Sequence, residues 1–401
     1  SSLNDALTAV NANIATGAIN ITITGPYAET TPVKGLTLGS ATLNPTLSAT
    51  NTITISTTGG TVTLNAGIGT KIDDLSNTEV PDGMLMLLGA DHVIIDGLTF
   101  TDNNNSAPAT MEYGIALFKR TTGDGCNNNL IQHCTFNMKA HTEQATKSSG
   151  AIIVLHWQQI PWGGVSNEPV PTNGGTLATN GTNSGNKFYS NTIVGGHRGI
   201  FLSGYSGDVG SGAIPDPNTF LGDLGNDIGG NSAATGNTIT LLSNGSSTAD
   251  EDIYGINASR QWNLNISYNI VNNNLGSWAN SLGEVWGILC RTVTGYPINP
   301  TTYPFRTVIN NNTVSILSSG LFGAGPRGIF YEDWGAEYST TAVPDTISIQ
   351  NNTVKLGELT GQNTLCLGID CLYLYGTFLI TGNTIGQIEG AALYASGTSY
   401  M

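Results

Sequence analysis

Positive charge is scarce in this chain. Lys and Arg together number 13 of 401 residues, against 28 Asp and Glu, and the formal charge is −15. Nucleic acid and anionic membranes are held by a concentrated basic face, so the composition argues against both as partners. A strongly anionic polymer is disfavoured as a substrate for the same reason. No run of about eighteen apolar residues occurs, so no segment reads as a membrane-spanning helix. The opening Ser-Ser-Leu-Asn-Asp does not read as a secretory leader, which is expected equally of a mature chain and of one trimmed at its start. Cysteine is sparse too: Cys126, Cys134, Cys290, Cys366 and Cys371. An odd number, with no Cys-x-x-Cys and no His at metal-ligand spacing, argues against a zinc site or a disulfide framework, and favours small buried hydrophobes. Pairing of Cys126 with Cys134 is left open. No Pro- or Ser-rich linker divides the chain, so 1–401 reads as one long domain.

What the chain has in quantity is Gly (52 residues), Asn and Thr. These suit many short strands and turns better than helices, so the expected class is all-β. One phrase keeps returning: "YSNTIVGG" at Tyr189, "TGNTITLL" at Thr235, "NNNTVSIL" at Asn310, "QNNTVKLG" at Gln350 and "TGNTIGQI" at Thr381. Aligned on Asn, with "SYNIV" added, the phrases form a column of Asn191, Asn237, Asn269, Asn312, Asn352 and Asn383. "DGLTF" at Gly97 and "QHCTF" at His133 extend it upstream. Subtracting successive positions from Gly97 to Asn383 gives steps of 36, 58, 46, 32, 43, 40 and 31 residues. A recurring rung with insertions of variable length fits such steps.

Between successive Asn phrases comes a Gly followed by an apolar residue, at Gly114, Gly150, Gly199, Gly255, Gly287, Gly328, Gly368 and Gly390. Alternation along a strand puts the first and third residues after Gly on one face. These are Ile115, Ala151, Ile200, Ile256, Ile288, Ile329, Ile369 and Ala391, then Leu117, Ile153, Leu202, Ala258, Cys290, Tyr331, Cys371 and Leu393. Like stacked on like is what a parallel β-solenoid builds, with coils about 4.8 Å apart and inward Asn side chains bonding to the Asn above and below. Two strand signatures per coil and about eleven coils predict a rod of roughly 50 Å. Residues 1–14 read as an amphipathic cap helix with Leu3, Ala6, Leu7 and Val10 on one face and Ser2 as N-cap. Residues 15–100 read as the first coils, and 101–401 as Asn-bearing coils with long insertions. The last strand, "EGAALYASGTSYM", is expected to be uncapped, an edge open to a further segment or to another copy of the chain.

The N-terminal "LNDALTAV", the stretch "HVIIDGLTF" (His92 to Phe100) and the serial "GNTI" and "NNTV" phrases resemble the right-handed parallel β-helix proteins of the pectate-lyase-like superfamily. They are most similar to the secreted and surface repeat proteins of Bacteroidota. The resemblance implies export and often a further C-terminal sorting or adhesion module. Polygalacturonase-like members use several Asp beside a Gly-His-Gly turn and an Arg-x-Lys strand. This chain offers "GGHRG" around His197 but neither the Asp pair nor Arg-x-Lys. Pectate lyases use a basic residue and usually Ca²⁺. The acidic groups here (Asp73 and Asp74, Asp250 to Asp252, Asp223 and Asp227) have no clear ligand spacing, so no metal or other cofactor is assigned.

The best constellation lies on the outward side of the Gly-Ile strands and the turns after them: Lys119 and Arg120, His156 and Trp157, Arg260 and Trp262, Arg291, then Glu332, Asp333 and Trp334. Arg260, Arg291 and Glu332/Asp333 fall on consecutive coils near one column, within roughly 5 to 10 Å of one another. An Arg beside paired carboxylates and Trp suits sugar binding or acid/base work, and equally an ion-pair ladder on a solenoid face. Trp157 and Trp162, in an insertion without Lys or Arg, could stack on sugar rings or pin the loop over Phe201, Leu289 and Phe330. The expectation is an extracellular structural or adhesive module at a bacterial cell surface. Its partner would be a glycan, through Trp157, Trp162, Trp334, Arg260 and Trp262, or other copies of itself through the open C-terminal coil. The alternative is a polysaccharide hydrolase or lyase using Glu332 and Asp333 with Arg291 and His197.

Overall fold

A computed structural model describes residues 2–33, 35–69, 82–102, 111, 113–121, 123–139, 149–160, 164–167, 172–173, 176–177, 181–204, 223–240, 242, 252–273, 284–292, 306–318, 325–333, 345–358, 366–372, 376–388 and 396–397. Three parallel sheets run the length of the chain, each a succession of ten strands in which every neighbour comes from the next coil. This is a parallel β-helix. One coil consists of Leu264–Ser267, Ile270–Asn273 and Val285–Thr292; the next of Arg306–Asn310, Thr313–Ser318 and Arg327–Asp333. Each coil therefore has three strands where the sequence pattern indicated two. The overlooked one ends directly before the Asn phrase, and the turn between them is so short that the two strands read as one run.

That turn explains the phrase. Except at Gly236, the residue before the inward position is left-handed: Gly97, His133, Ser190, Tyr268, Asn311, Asn351 and Gly382 all have φ between 52° and 82°. The chain bends sharply there, and the next residue points inward. Strand register aligns Thr99, Thr135 and Thr192, so Leu98 and Cys134, rather than Gly97 and His133, stand in the column that Asn191 continues. From Asn191 onward the side chains join. Asn191 Nδ2 donates to Asn237 Oδ1 at 3.0 Å, Asn237 to Asn269 at 2.9 Å, Asn269 to Asn312 at 3.1 Å, Asn312 to Asn352 at 3.0 Å and Asn352 to Asn383 at 2.9 Å. Each Oδ1 also accepts the backbone N–H of the Asn one coil earlier, and each Nδ2 also reaches a strand carbonyl such as Ile266 O at 2.9 Å. Every amide polar atom at this buried corner thus has a partner. The corner entering the first sheet carries a second, shorter set, with Asn129 bonded to Asn186 at 3.1 Å and the Asn186 N–H bonded to Asn226 Oδ1 at 2.9 Å.

The glycine column has a different cause. Its members are not left-handed; they face the second sheet at very close range. A Cβ on Gly255, Gly287 or Gly328 would lie 2.4, 2.3 and 2.3 Å from a methyl of Val271, Val314 and Val354 respectively. Gly114, Gly199 and Gly368 meet Phe136, Ile239 and Ile385 in the same way. The Gly of the third sheet and the Val or Ile of "NT[IV]" are two halves of one packing contact.

Register corrects one coil. Ile152 pairs with Ile200 and Ile115, and Val154 with Leu202 and Leu117, so Ile152 and Val154 face the core. Ile153 faces outward, packed with Phe118, Leu155 and Phe201, and Ala151 occupies the position that other coils give to Gly. Gly150 sits one residue before that position, in register with Arg198. At the other end, Gly390, Ala391 and Leu393 lie outside the described residues, and the strand paired with Cys366–Leu367 is Ser396–Gly397. On the last described coil, Leu379 and Ile385 are 46% and 44% exposed, although Val354, which pairs with Ile385, is fully buried.

The N-terminal helix spans Leu3–Asn11, where the Ser2 side chain accepts the Asp5 N–H at 3.0 Å and Asp5 accepts the Ser2 N–H at 3.0 Å. Leu3 and Leu7 are buried in the main core cluster with Leu36 and Leu38. All five cysteines are free thiols and buried, so Cys126 does not pair with Cys134. Burial pushes the Cys134 and Cys371 thiols up to about 12, which keeps them unreactive near neutrality.

One half-buried acid makes stability depend on pH. Burial lifts the Asp91 carboxyl from 3.8 to about 7, although the Asn127 N–H donates to it at 2.6 Å. Between these two values the folded chain keeps a proton that the unfolded chain has lost, so Asp91 makes stability fall as pH rises from about 4 through about 7. Below about 4 both states hold the proton and the effect vanishes. Urea midpoints measured from pH 4 to 8 are expected to fall less steeply for Asp91→Asn than for the wild type; parallel profiles would rule the assignment out.

Candidate functional site

The three sheets are not equally bordered. The first-to-second turn is tight in the later coils, whereas the long connections all adjoin the third sheet. They enter it through 274–283 and 319–324 and leave it through 204–222, 293–305 and 334–344. The outer face of the third sheet is therefore the one flanked by insertions on both sides, the usual placement of a binding surface on a rigid scaffold.

On that face the residue directly before each repeat glycine forms a column: Arg198, Tyr254, Trp286 and Arg327 are neighbours in register on successive coils. At strand spacing they stack. The Arg198 guanidinium lies 5.6 Å from the Tyr254 ring, the Tyr254 and Trp286 rings are 6.2 Å apart, and the Arg327 guanidinium lies 4.3 Å from the Trp286 ring. Phe330 meets Trp286 edge-on at 5.1 Å, with Arg291 5.9 Å from its own ring. Cations on aromatic faces gain most where water is excluded, and Trp286 and Phe330 are 5% and 2% exposed.

Carboxylates complete the face. Arg291 Nε donates to Glu332 Oε2 at 2.9 Å, and Arg327 donates to Glu284 Oε1 at 3.1 Å while its other terminal nitrogen stands 3.7 Å from Asp370 Oδ2. Asp252 accepts the Tyr254 hydroxyl at 2.8 Å and the Glu284 N–H at 2.9 Å. Burial raises the carboxyls of Glu284 and Asp370, and Arg327 pulls both part of the way back. Tyr254 is raised as well, first by burial and then by Asp252.

Of the expected site residues, Arg291 and Glu332 come together. Arg260 stands one position past their column, since Ser259 is in register with Arg291; its N–H donates to the Arg291 carbonyl at 2.6 Å and its φ is 59°. Asp333 pairs through its backbone with Thr292, and its side chain is outside the described set. Trp162 and Trp334 lie outside the described residues, and of Trp157 only the backbone pairing with Asn167 is described. Trp262 is 3% exposed, as covered as Trp286, on a short strand paired with Asp223–Leu224. His197 is 1% exposed, with Nδ1 2.8 Å from Ser149 Oγ. It stands six strand positions (roughly 20 Å) and three coils (roughly 14 Å) from Glu332, too far to share chemistry with it.

The acidic groups are engaged in the scaffold. Asp223 accepts the Asn183 N–H at 2.8 Å, and Asp227 accepts from Tyr189 at 2.6 Å and Asn265 at 2.7 Å. Asp73, Asp74 and Asp250 lie outside the described residues. Among the described residues no group of three or more His, Cys, Asp or Glu is placed to hold a metal ion, and no helix is long and apolar enough to cross a membrane. Sequence reasoning missed Arg198, Tyr254, Trp286, Arg327, Glu284 and Asp370. The first four were marked by their place immediately before Gly, while Glu284 and Asp370 carry no local signal.

No protein-family model and no curated protein sequence matches the chain. Among solved structures it is similar to the surface protein and adhesin PfbA of Streptococcus pneumoniae, at 12% identity and a TM-score of 0.32 over 96% of this chain and 95% of that one. A second structure of the same adhesin gives 12% identity and a TM-score of 0.28 over 99% and 92% of the two chains. At these values the fold assignment rests on the strand register described above, not on the likeness.

Proposed function

We propose that the protein is an extracellular β-helix at a bacterial cell surface that binds glycans on the outer face of its third sheet. Membership of the pectate-lyase-like superfamily, and kinship with surface proteins of Bacteroidota, belong to the same proposal. The observation that carries it is the strip of Tyr254, Trp286 and Phe330 edged by Arg291 and Arg327. It joins apolar ring area to fixed hydrogen-bonding groups, the pairing that sugars need. Solvent reaches the strip through the charged side chains: Arg291, Arg327 and Glu284 are 32%, 26% and 27% exposed.

A glycan array followed by calorimetry is the test. Arg327→Ala is expected to weaken binding at least tenfold, because it removes both the hydrogen-bond donors and the cation over Trp286, while Lys187→Ala, on the first sheet, leaves binding unchanged. Equal affinities for wild type and Arg327→Ala would move the binding surface elsewhere. A second reading, a polysaccharide hydrolase or lyase, draws on the raised carboxyls of Glu284 and Asp370 beside Glu332 and Arg291. Cleavage of an array ligand, abolished by Glu332→Gln or Glu284→Gln, would favour it over simple binding.

A further inference from the structure

Among the described residues, two side chains on this face hold buried polar atoms with no partner. The Trp286 indole N–H makes no hydrogen bond, and Arg198, two coils away, has Nε and Nη1 buried and unbonded. The contrast with the neighbouring arginines is sharp: Arg291 is bonded to Glu332, and Arg327 is held by Glu284 and Asp370. Among the described residues Arg198 meets rings, with Phe201 4.4 Å and Tyr254 5.6 Å from its guanidinium. The acid beside Tyr254, Asp252, already accepts two hydrogen bonds, from the Tyr254 hydroxyl and the Glu284 N–H. A guanidinium with two buried donors unused, Nε and Nη1, is costly to maintain, and an oxygen anion is the group that satisfies them best.

We infer that Arg198, flanked by Phe201 and Tyr254, is a subsite for an oxyanion carried by the ligand, a carboxylate or a sulfate ester on one sugar, with the Trp286 N–H donating to a neutral oxygen of an adjoining sugar. This rests on the glycan-binding reading. Two coils separate Arg198 from Trp286, roughly 10 Å, which a disaccharide spans. The net charge of −15 opposes a polyanion at long range, but at physiological salt that field is screened beyond about 8 Å. A sparsely charged glycan is therefore compatible with a single unpaired Arg.

Calorimetry with glucose, glucuronate and glucose 6-sulfate, on the wild type and on Arg198→Met, tests the subsite, with melting temperatures taken in sodium acetate and sodium sulfate against sodium chloride at equal ionic strength. One or both of the anionic sugars is expected to bind at least tenfold more tightly than glucose, and the one preferred identifies the oxyanion. Arg198→Met should abolish that preference. Without ligand the variant should melt no lower than the wild type, because an unpaired buried charge has been removed. Equal binding of glucose and both anionic sugars, or a preference that survives Arg198→Met, overturns the subsite and leaves glycan binding intact. If no sugar binds, yet acetate or sulfate raises the melting temperature of the wild type and not of Arg198→Met, the oxyanion subsite stands and the glycan reading falls. No response to any probe overturns both.

Discussion

Gly328→Ala is expected to lower the urea midpoint of the β-helix sharply, by about 3 kcal/mol or more in unfolding free energy, while Gly386→Ala leaves it unchanged or slightly raised. The added methyl at Gly328 would sit 2.3 Å from Val354 Cγ1 and 2.4 Å from the Gly368 carbonyl oxygen. Val354 is fully buried and stiff about its first side-chain torsion, and the Gly368 oxygen belongs to the neighbouring strand, so neither can yield without separating two coils. At Gly386, two coils on and in the second sheet, a new methyl meets nothing within 4 Å, and the loss of glycine's freedom in the unfolded chain gives a gain of ~0.5 kcal/mol. Circular dichroism in a urea series measures both. Adding Val354→Ala to Gly328→Ala should recover part of the loss, since it removes the clashing methyl but not the clash with the carbonyl. Equal midpoints for the two glycine variants would refute the packing account of the column.

The second large effect is expected at the Asn corner, and it should depend on position. Asn312→Ala removes the Oδ1 that accepts the Asn269 N–H at 2.9 Å and the Asn269 side-chain amide at 3.1 Å, and the Nδ2 that donates to Ile266 O at 2.9 Å. Four buried polar groups lose a partner together, the fourth being Asn352 Oδ1, to which Asn312 Nδ2 donates at 3.0 Å. At ~1–3 kcal/mol for each group left without one, a loss of about 3–5 kcal/mol is expected. Asn383→Ala, on the last described coil, removes the same kinds of bond where the corner is only half-buried, so water can replace them and the loss should be about 1 kcal/mol. Hydrogen exchange at the Asn269 amide should speed up in Asn312→Ala and stay slow in Asn383→Ala. Matching losses for the two variants would mean that the corner is held by the backbone alone.

Both predictions concern columns that were legible in the sequence, and the reason is physical. A parallel solenoid places equivalent residues of successive coils in the same environment, so a requirement such as an inward amide or a missing Cβ is repeated wherever the chain passes. Insertions hide the period but not the phrase. What was misread follows from the same geometry. A one-residue left-handed turn merges two strands into one run. In the coil of Ile152, Ala151 fills the glycine position and Gly150 precedes it, which shifted that strand by one residue and exchanged its inner and outer faces.

The outer face was legible only in part. Arg291 and Glu332 were paired because each follows its glycine at the same distance. Tyr254, Trp286 and Arg327 precede theirs, and nothing local distinguishes a ring that stacks under a guanidinium from one that simply covers a strand. Trp262 and His197 had the right chemistry, but backbone pairing turned them into buried positions.

By itself the sequence determined the solenoid, its inward columns and the placement of its insertions, because each is written as a residue type recurring once per coil. The tertiary structure alone decided which outward side chains meet. Arg327 reaches back to Glu284 across a coil boundary and forward to Asp370 on the next, contacts between residues 43 apart in the first case. The lengths of the intervening insertions set which rung each residue joins, and no local pattern encodes that alignment. It is the same alignment that, among the described residues, leaves Arg198 against rings with no carboxylate to hold it.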